Sequence, residues 1–342
     1  MSQKVLITGG AGYIGSVVTE RLIGQGYEPI VIDDLSAGNR GAVHPKARFV
    51  AGDVRNSNDL AVLFESFAIR SVIHLAAKAS VSQSISDPAP FYAVNVGGGI
   101  QLLEAMITYG VKRIVVSSTA AVYGEPLGIP LDEDHPTAPL SSYGETKLSF
   151  ERMLAWYVKA YKLEATTFRY FNAAGASDAY GEAHVPETHL IPSLLRAADT
   201  DGVSHIFGND YDTPDGTCIR DFVHVVDLAD AHIRALEIPN LDGLRTFNLG
   251  SGTGYSVLEV IEFIETVTGQ KLHKHFCPRR NGDPARLVAS FDKAKEGLGW
   301  QPRKQALRSI VESAWRWHKA HPKGYEDLIE SSARAGSTQK HE

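Results

Sequence analysis

Cysteine is almost missing from these 342 residues: only Cys218 and Cys277 occur, far apart and outside any metal-ligand spacing. A disulfide framework and a cysteine zinc knuckle are excluded on that count, and a reducing compartment is expected. Long apolar runs are missing too. No window approaches the roughly 20 apolar residues that a membrane span needs. The first apolar run, Val5–Ile7, leads straight into glycines without a cleavage site, so no signal peptide is expected. A soluble, cytoplasmic protein follows as the expectation. Basic excess is the third absence: 34 Lys and Arg stand against 40 Asp and Glu, a net charge of -6, with no cluster on one face. That leaves no electrostatic footprint for nucleic acid, although a few placed arginines can still bind a small anion. The histidines, His184, His189 and His224 among them, show no metal-ligand spacing, so no metal is expected.

What is present is a rhythm. Hydrophobic residues make up 43% and charged ones 22%, an ordinary globular balance. Val5–Thr8, Ile30–Asp33, Arg48–Ala51, Ser71–Leu75, Arg113–Ser117 and Ala165–Tyr170 read as strands with near-continuous apolar cores, the pattern of a parallel sheet buried on both faces. Helical patterns over Tyr13–Gln25, Ser57–Phe67, Pro90–Tyr109 and Tyr143–Tyr161 alternate with them. Strict alternation predicts a doubly wound α/β sheet over residues 1–172. After Asn172 the rhythm breaks into Gly, Asp and Pro-rich loops, with helices expected near Leu190–Ala198, Val226–Glu237 and Val257–Gly269. Residues 173–330 read as a smaller α+β domain whose chain crosses back to the sheet around 217–250, and 331–342 as a flexible tail.

The first strand runs into Gly9-Gly10-Ala11-Gly12-Tyr13-Ile14-Gly15 and then a helix. Glycines at that spacing permit a tight turn and close approach to a pyrophosphate, which the helix N-terminus favours. Asp33 closes the second strand, where a carboxylate accepts the ribose hydroxyls of NAD and repels the extra phosphate of NADP. Asp34 is adjacent and open to the same role, and a plain turn cap is the structural alternative for the pair. Strand, glycines, helix and acid together predict a Rossmann-type NAD site.

Tyr143 and Lys147 lie four residues apart on one helical face. For a tyrosine to act as a base near neutrality its pKa must fall by about three units, or roughly 4 kcal/mol. A neighbouring ammonium and a cationic nicotinamide ring supply such a pull. The fifth strand ends in Ser117-Ser118-Thr119, which brings hydroxyls to the carboxyl edge of the sheet, where ligands bind in open α/β folds. Thr119 is read either as a partner of the reacting oxygen or as a backbone cap.

The glycine cradle, the strand-end hydroxyls and the Tyr-x-x-x-Lys pair together resemble the extended short-chain dehydrogenase/reductase family, and within it the branch that epimerises UDP-sugars. The likeness runs over nearly the whole chain and rests also on Phe207-Gly208-Asn209-Asp210-Tyr211, Arg220-Asp221-Phe222-Val223-His224 and Asn248-Leu249-Gly250-Ser251-Gly252. It implies that Tyr143 removes the sugar 4-hydroxyl proton while NAD takes hydride from C4. The 4-keto sugar then turns and is reduced on its other face, interconverting UDP-galactose and UDP-glucose. It implies cofactor contacts at Gly9, Gly12, Tyr13, Ile14, Gly15, Asp33, Asp53, Val54, Leu75, Ala76, Ala77, Asn95, Ser117, Tyr143, Lys147 and Tyr170. For the UDP-sugar it implies Thr119, Tyr143, Asn172, Arg220, Arg280 and Asp283, with His189, Leu190, His205 and Phe207 toward the uracil and Leu287 at the sugar. A homodimer through the helices of 90–109 and 143–161 is implied as well.

Departures from the family pattern sit at three places. Thr119 replaces a serine but keeps the hydroxyl, His189 replaces an asparagine, and Lys78 is displaced by one residue and receives no role. Leu287 is intermediate between a tyrosine that excludes N-acetylated sugars and a small residue that admits them. Ala120 and Ala121 occupy the places where related dehydratases carry an Asp-Glu pair, which disfavours elimination chemistry. Epimerases of UDP-glucuronate or UDP-arabinose, and a non-catalytic NAD-sensing protein, stay open as alternatives.

Overall fold

The computed structural model describes residues 3–200, 202–238, 243–280 and 282–326, so the expected tail at 331–342 lies outside the described residues. Six strands come from the first half: β1 (Lys4–Thr8), β2 (Glu28–Asp33), β3 (Arg48–Ala51), β4 (Ser71–His74), β5 (Arg113–Thr119) and β6 (Glu164–Tyr170). They pair in parallel in the order β6-β5-β4-β1-β2-β3. The helices Tyr13–Gly24, Ser57–Ser66, Gly99–Thr108 and Ser142–Tyr161 form the crossovers. Two apolar clusters explain why the strands are hydrophobic on both sides. Val5, Ile7, Val31, Ile73 and Val115 pack on one face, Leu6, Ile30, Ile32, Val72 and Ile114 on the other. The fold is a Rossmann-type α/β sheet.

The seventh strand of this sheet arrives late: β10 (Leu244–Leu249) pairs in parallel with β6 from Leu244 against Ala165 to Leu249 against Tyr170. The helix Val225–Glu237, which leads into β10, packs against Tyr13–Gly24. Beyond the sheet, β7 (Asn172–Ala174), β9 (Ile219–His224), β11 (Gly254–Ser256) and β13 (Arg286–Leu287) form a small mixed sheet, and β8 (Val203–Phe207) pairs with β12 (His273–Cys277) in a two-stranded parallel ribbon. A third apolar cluster built on Ile191, Leu194, Val260, Ile261, Ile264, Ile310 and Val311 holds this half together.

The helix expected over 90–109 is not uniform. Ala89–Phe91 is α-helical, Tyr92–Gly98 winds as a π-helix, and Gly99–Thr108 returns to α geometry. A π turn inserts one residue per turn and re-aims the side chains that follow. Here it carries Asn95, and the glycines that follow permit close packing: a Cβ on Gly99 would collide with the Phe150 ring.

Candidate active site

The phosphate cradle is built by exclusion of side chains. Gly9 has φ of +71°, and a Cβ there would lie 2.6 Å from the Ala76 amide nitrogen. A Cβ on Gly15 would strike the Gly9 carbonyl. Gly12 is the N-cap of Tyr13–Gly24, and no side chain caps that helix. Its first amides therefore face the cleft over Tyr13, Ile14 and Gly15, the arrangement that suits a phosphate. Tyr13 ties the cradle to the other half of the chain by donating its hydroxyl to the Gly175 carbonyl at 2.5 Å.

Asp33 is buried at the end of β2 and caps the turns beside it. One oxygen accepts the Ala11 amide at 3.0 Å and the other the Leu35 amide at 2.9 Å, which fixes the glycine turn and leaves lone pairs for hydroxyls. Burial raises its pKa, and the two backbone donors oppose that. Asp34 caps a turn through the Ser36 amide. Asp53 is gripped by the Arg55 guanidinium, which pulls its pKa down, while Val54 is buried under the π-helical turn. Leu75, Ala76 and Ala77 follow β4, and the first two donate their amides to the backbone oxygen and the hydroxyl of Thr8.

Asn95 is buried with its amide fully engaged. It donates to the Lys78 carbonyl at 3.0 Å and to the Thr146 hydroxyl at 2.9 Å, and accepts from the Lys78 amide at 2.8 Å. Lys78, given no role from sequence, thus contributes its backbone to a clasp between the post-β4 loop and the helix Ser142–Tyr161.

That helix begins at Ser142 because Ser141 caps it, accepting the Gly144 amide. Lys147, one turn in, is buried, and its ammonium donates to the Ser117 carbonyl at 2.9 Å and hydroxyl at 3.2 Å. Burial lowers its pKa to about 8, with the Glu151 carboxylate opposing. Burial likewise raises the Tyr143 phenol, and a hydrogen bond from the Thr119 hydroxyl pulls it down. The Thr119 oxygen accepts the Ala121 amide at 3.1 Å, the backbone cap expected of it, and that bond does not use the hydroxyl proton. Tyr170 is buried beside them, but its hydroxyl is paired with His232 at 2.6 Å.

Behind this group lies a buried polar network that sequence reading missed. Ser118 donates to Glu151, Glu151 pairs with Arg169 at 2.7 Å, and Arg169 donates to the Tyr123 hydroxyl at 3.0 Å, which donates to Asn248 at 2.6 Å. The signal was available in part: Glu151 is one helical turn beyond Lys147.

Residues expected at the UDP-sugar meet in pairs. Arg220 and Asp283 form an ion pair at 3.2 Å, and the Arg280 guanidinium lies 3.8 Å over the Phe207 ring. Leu287 is the register partner of Arg220 and packs on the cluster of Ala120, Val122 and Leu131, immediately past Thr119. Asn172 donates to the Asp221 carbonyl at 3.0 Å. The Asp221 carboxylate, unmarked from sequence, is fully buried and accepts from Ser251, Gly252 and Ala289, which ties β9 to the loop after β10 and to the segment after β13. His189 caps the helix Leu190–Asp199 by position and bonds Glu187 at 2.8 Å. His205 stands on the exposed ribbon face against His275.

Among the described residues, two groupings of metal-ligating side chains form that spacing does not announce: Glu182, His184 and His189, and His205, His275 and Cys277. The expectation that these histidines do not converge is corrected for His184 and His189. The loop Glu182–His189 folds back on itself and brings both rings to Glu182. His224 bonds Ser313 and the Val226 amide instead.

The model of the NAD dependent epimerase/dehydratase family matches residues 5–250. The chain belongs to that family. Its relatives in the family include the UDP-glucose 4-epimerase of Halalkalibacterium halodurans, 49% identical over 94% of this chain and 97% of that protein. Among solved structures, the Brucella ovis UDP-glucose 4-epimerase in complex with NAD superimposes with a TM-score of 0.88 at 43% identity, over 92% of this chain and 98% of that one. The Bifidobacterium longum UDP-glucose 4-epimerase with NAD+ and UDP gives 0.90 at 33% identity, over 94% and 100%.

Proposed function

We infer that this member of the family is an NAD-dependent isomerase that interconverts UDP-galactose and UDP-glucose. One observation carries the reading: Thr119, Tyr143 and Lys147 stand at the carboxyl edge of the sheet beside an uncapped phosphate cradle, with alanine at 120 and 121 where elimination needs acids. Identity of 43–49% to curated UDP-glucose 4-epimerases over nearly the whole chain supports it.

NAD fits the cradle because glycines keep it open and Asp33 faces it; when bound, it accepts the hydride from C4 and returns it. The chain's own residues handle protons and position. Tyr143 takes the proton from the 4-hydroxyl and gives it back, Thr119 donates to the phenolate, and Lys147 holds positive charge beside both. Arg220 and Arg280 hold the diphosphate, Asn172 a phosphate oxygen and Asp283 the ribose. Leu190, His189, His205 and Phe207 face the uracil. Binding energy thus falls on the part of the substrate that does not react, which leaves the sugar free to turn. Leu287 borders the sugar, and its intermediate size gives UDP-glucose as the main substrate, with weaker turnover of N-acetylated sugars.

Incubation with UDP-galactose and no added NAD is expected to yield UDP-glucose. Failure of both UDP-galactose and UDP-N-acetylgalactosamine to react, with NAD bound, overturns the assignment; equal turnover of the two overturns the ranking at Leu287. Two further proposals concern setting. The chain forms a homodimer through the helices of 89–108 and 142–161, which expose Tyr92, Trp156 and Tyr161; a monomer in sedimentation equilibrium defeats it. It works in the cytoplasm, where two free thiols persist, and cell fractionation checks this. Among the described residues no helix is long and apolar enough to cross a membrane.

A further inference from the structure

We propose that His205, His275 and Cys277 form a binding site for a zinc-class divalent ion on the accessible face of the β8–β12 ribbon, the face that also carries Phe207. The strands are parallel, with His205 opposite His275 and Phe207 opposite Cys277. Side chains alternate along a strand, so His205 and Phe207 share one face of β8, and His275 and Cys277 the matching face of β12. On β8 the other face is closed, because Ser204 and Ile206 are buried. All three ligating side chains therefore stand together on the accessible side.

The distances suit an ion. Zn–S near 2.3 Å and Zn–N near 2.0–2.1 Å at a tetrahedral centre place sulfur and nitrogen about 3.5 Å apart. The Cys277 Sγ lies 3.7 Å from the His205 Nδ1, and one ligand atom from each of the three residues lies within 4.8 Å of the others. The two imidazoles meet nearly edge to face, at 78° with centroids 5.2 Å apart, so neither blocks the other's approach. A small rotation of exposed side chains completes three corners, and water takes the fourth. One thiolate with two imidazoles selects zinc over the oxygen-seeking magnesium and calcium. On ligation the Cys277 thiol gives its proton to solvent as the S–Zn bond forms, with no change of oxidation state.

The second grouping lacks this freedom, since His184 already bonds Glu182 at 2.5 Å and His189 bonds Glu187 at 2.8 Å. The ribbon site is also placed to matter: Cys277 is the register partner of Phe207, on which Arg280 lies.

The test uses Co2+ as the spectroscopic stand-in, added to the full-length protein. A thiolate-to-cobalt charge-transfer band saturating at one equivalent is expected, displaced by Zn2+, lost in Cys277→Ser and weakened at least about tenfold in affinity in His275→Gln. A band that survives Cys277→Ser, or no band in the unaltered protein, overturns the proposal. Without any variant, Zn2+ is expected to slow alkylation of Cys277 by iodoacetamide severalfold, and an unchanged rate overturns it as well.

Discussion

The two sides of the cleft are built on opposite plans. On the sheet side, Lys147 is buried, held by Ser117 at 2.9 and 3.2 Å, and backed by the chain of Ser118, Glu151, Arg169 and Tyr123. On the ribbon side, Arg280 is exposed and rests on Phe207, while Arg220 pairs with Asp283 and Arg279 with Asp210. Chemistry needs fixed dipoles that do not reorganise as charge develops. Binding a diphosphate needs planar donors that can meet an arriving anion, and a guanidinium stacked on a ring keeps its edges free. On the proposed function, rigidity lies where protons move and adaptability where the nucleotide is held.

Substitutions on each side break this contrast differently. The largest effect is expected for Tyr143→Phe, which leaves the fold and the ribbon untouched: turnover should fall by about 10²–10⁴-fold with UDP affinity unchanged. A variant that keeps wild-type turnover removes Tyr143 from the proton path. Lys147→Met comes next, with turnover down about a hundredfold. Its stability should move the other way. A folded pKa of about 8 against an ordinary 10.5 means the buried ammonium costs roughly 3 kcal/mol at neutral pH. The native state then binds fewer protons than the unfolded one between pH 8 and 10.5, so wild-type stability rises with pH through that window. Melting curves at pH 7 and 10 should show Lys147→Met losing that rise, with a higher melting temperature at pH 7; parallel curves for the two proteins refute the buried-charge account. The smallest effect belongs to the ribbon side. Arg280→Ala should raise KM about tenfold or somewhat more, the worth of a charged hydrogen bond, with kcat little altered. A kcat loss as large as that of Lys147→Met would show that the two sides are not divided in this way.

Much of the sheet side was legible because its signals are local. Six apolar runs, a glycine turn and a Tyr-x-x-x-Lys pair each declare themselves within a few residues; β3 matches its expected bounds, and β1, β2, β4, β5 and β6 match theirs to within two residues. What was missed is long-range. β12, His-Lys-His-Phe-Cys, shows no apolar alternation, and only pairing with a strand 70 residues earlier makes it a strand. Glu151 reads as an ordinary helix-surface acid until Arg169, 18 residues on, is brought beneath it. The π turn at Tyr92–Gly98, which packs against the helix Ser142–Tyr161, is not declared by any apolar periodicity.

The lateness of β10 has a bearing on synthesis. When residue 172 leaves the ribosome, every part of the cofactor cradle has been made, yet β6 is still an open edge rich in Thr, Phe and Tyr. Its partner follows more than seventy residues later, together with the helix Val225–Glu237 that covers Tyr13–Gly24. Until then the nascent sheet offers unpaired backbone to any neighbouring strand. A polypeptide stopped at Asn172 would keep the glycine turn, Tyr143 and Lys147, and still lack the seventh strand that pairs with β6.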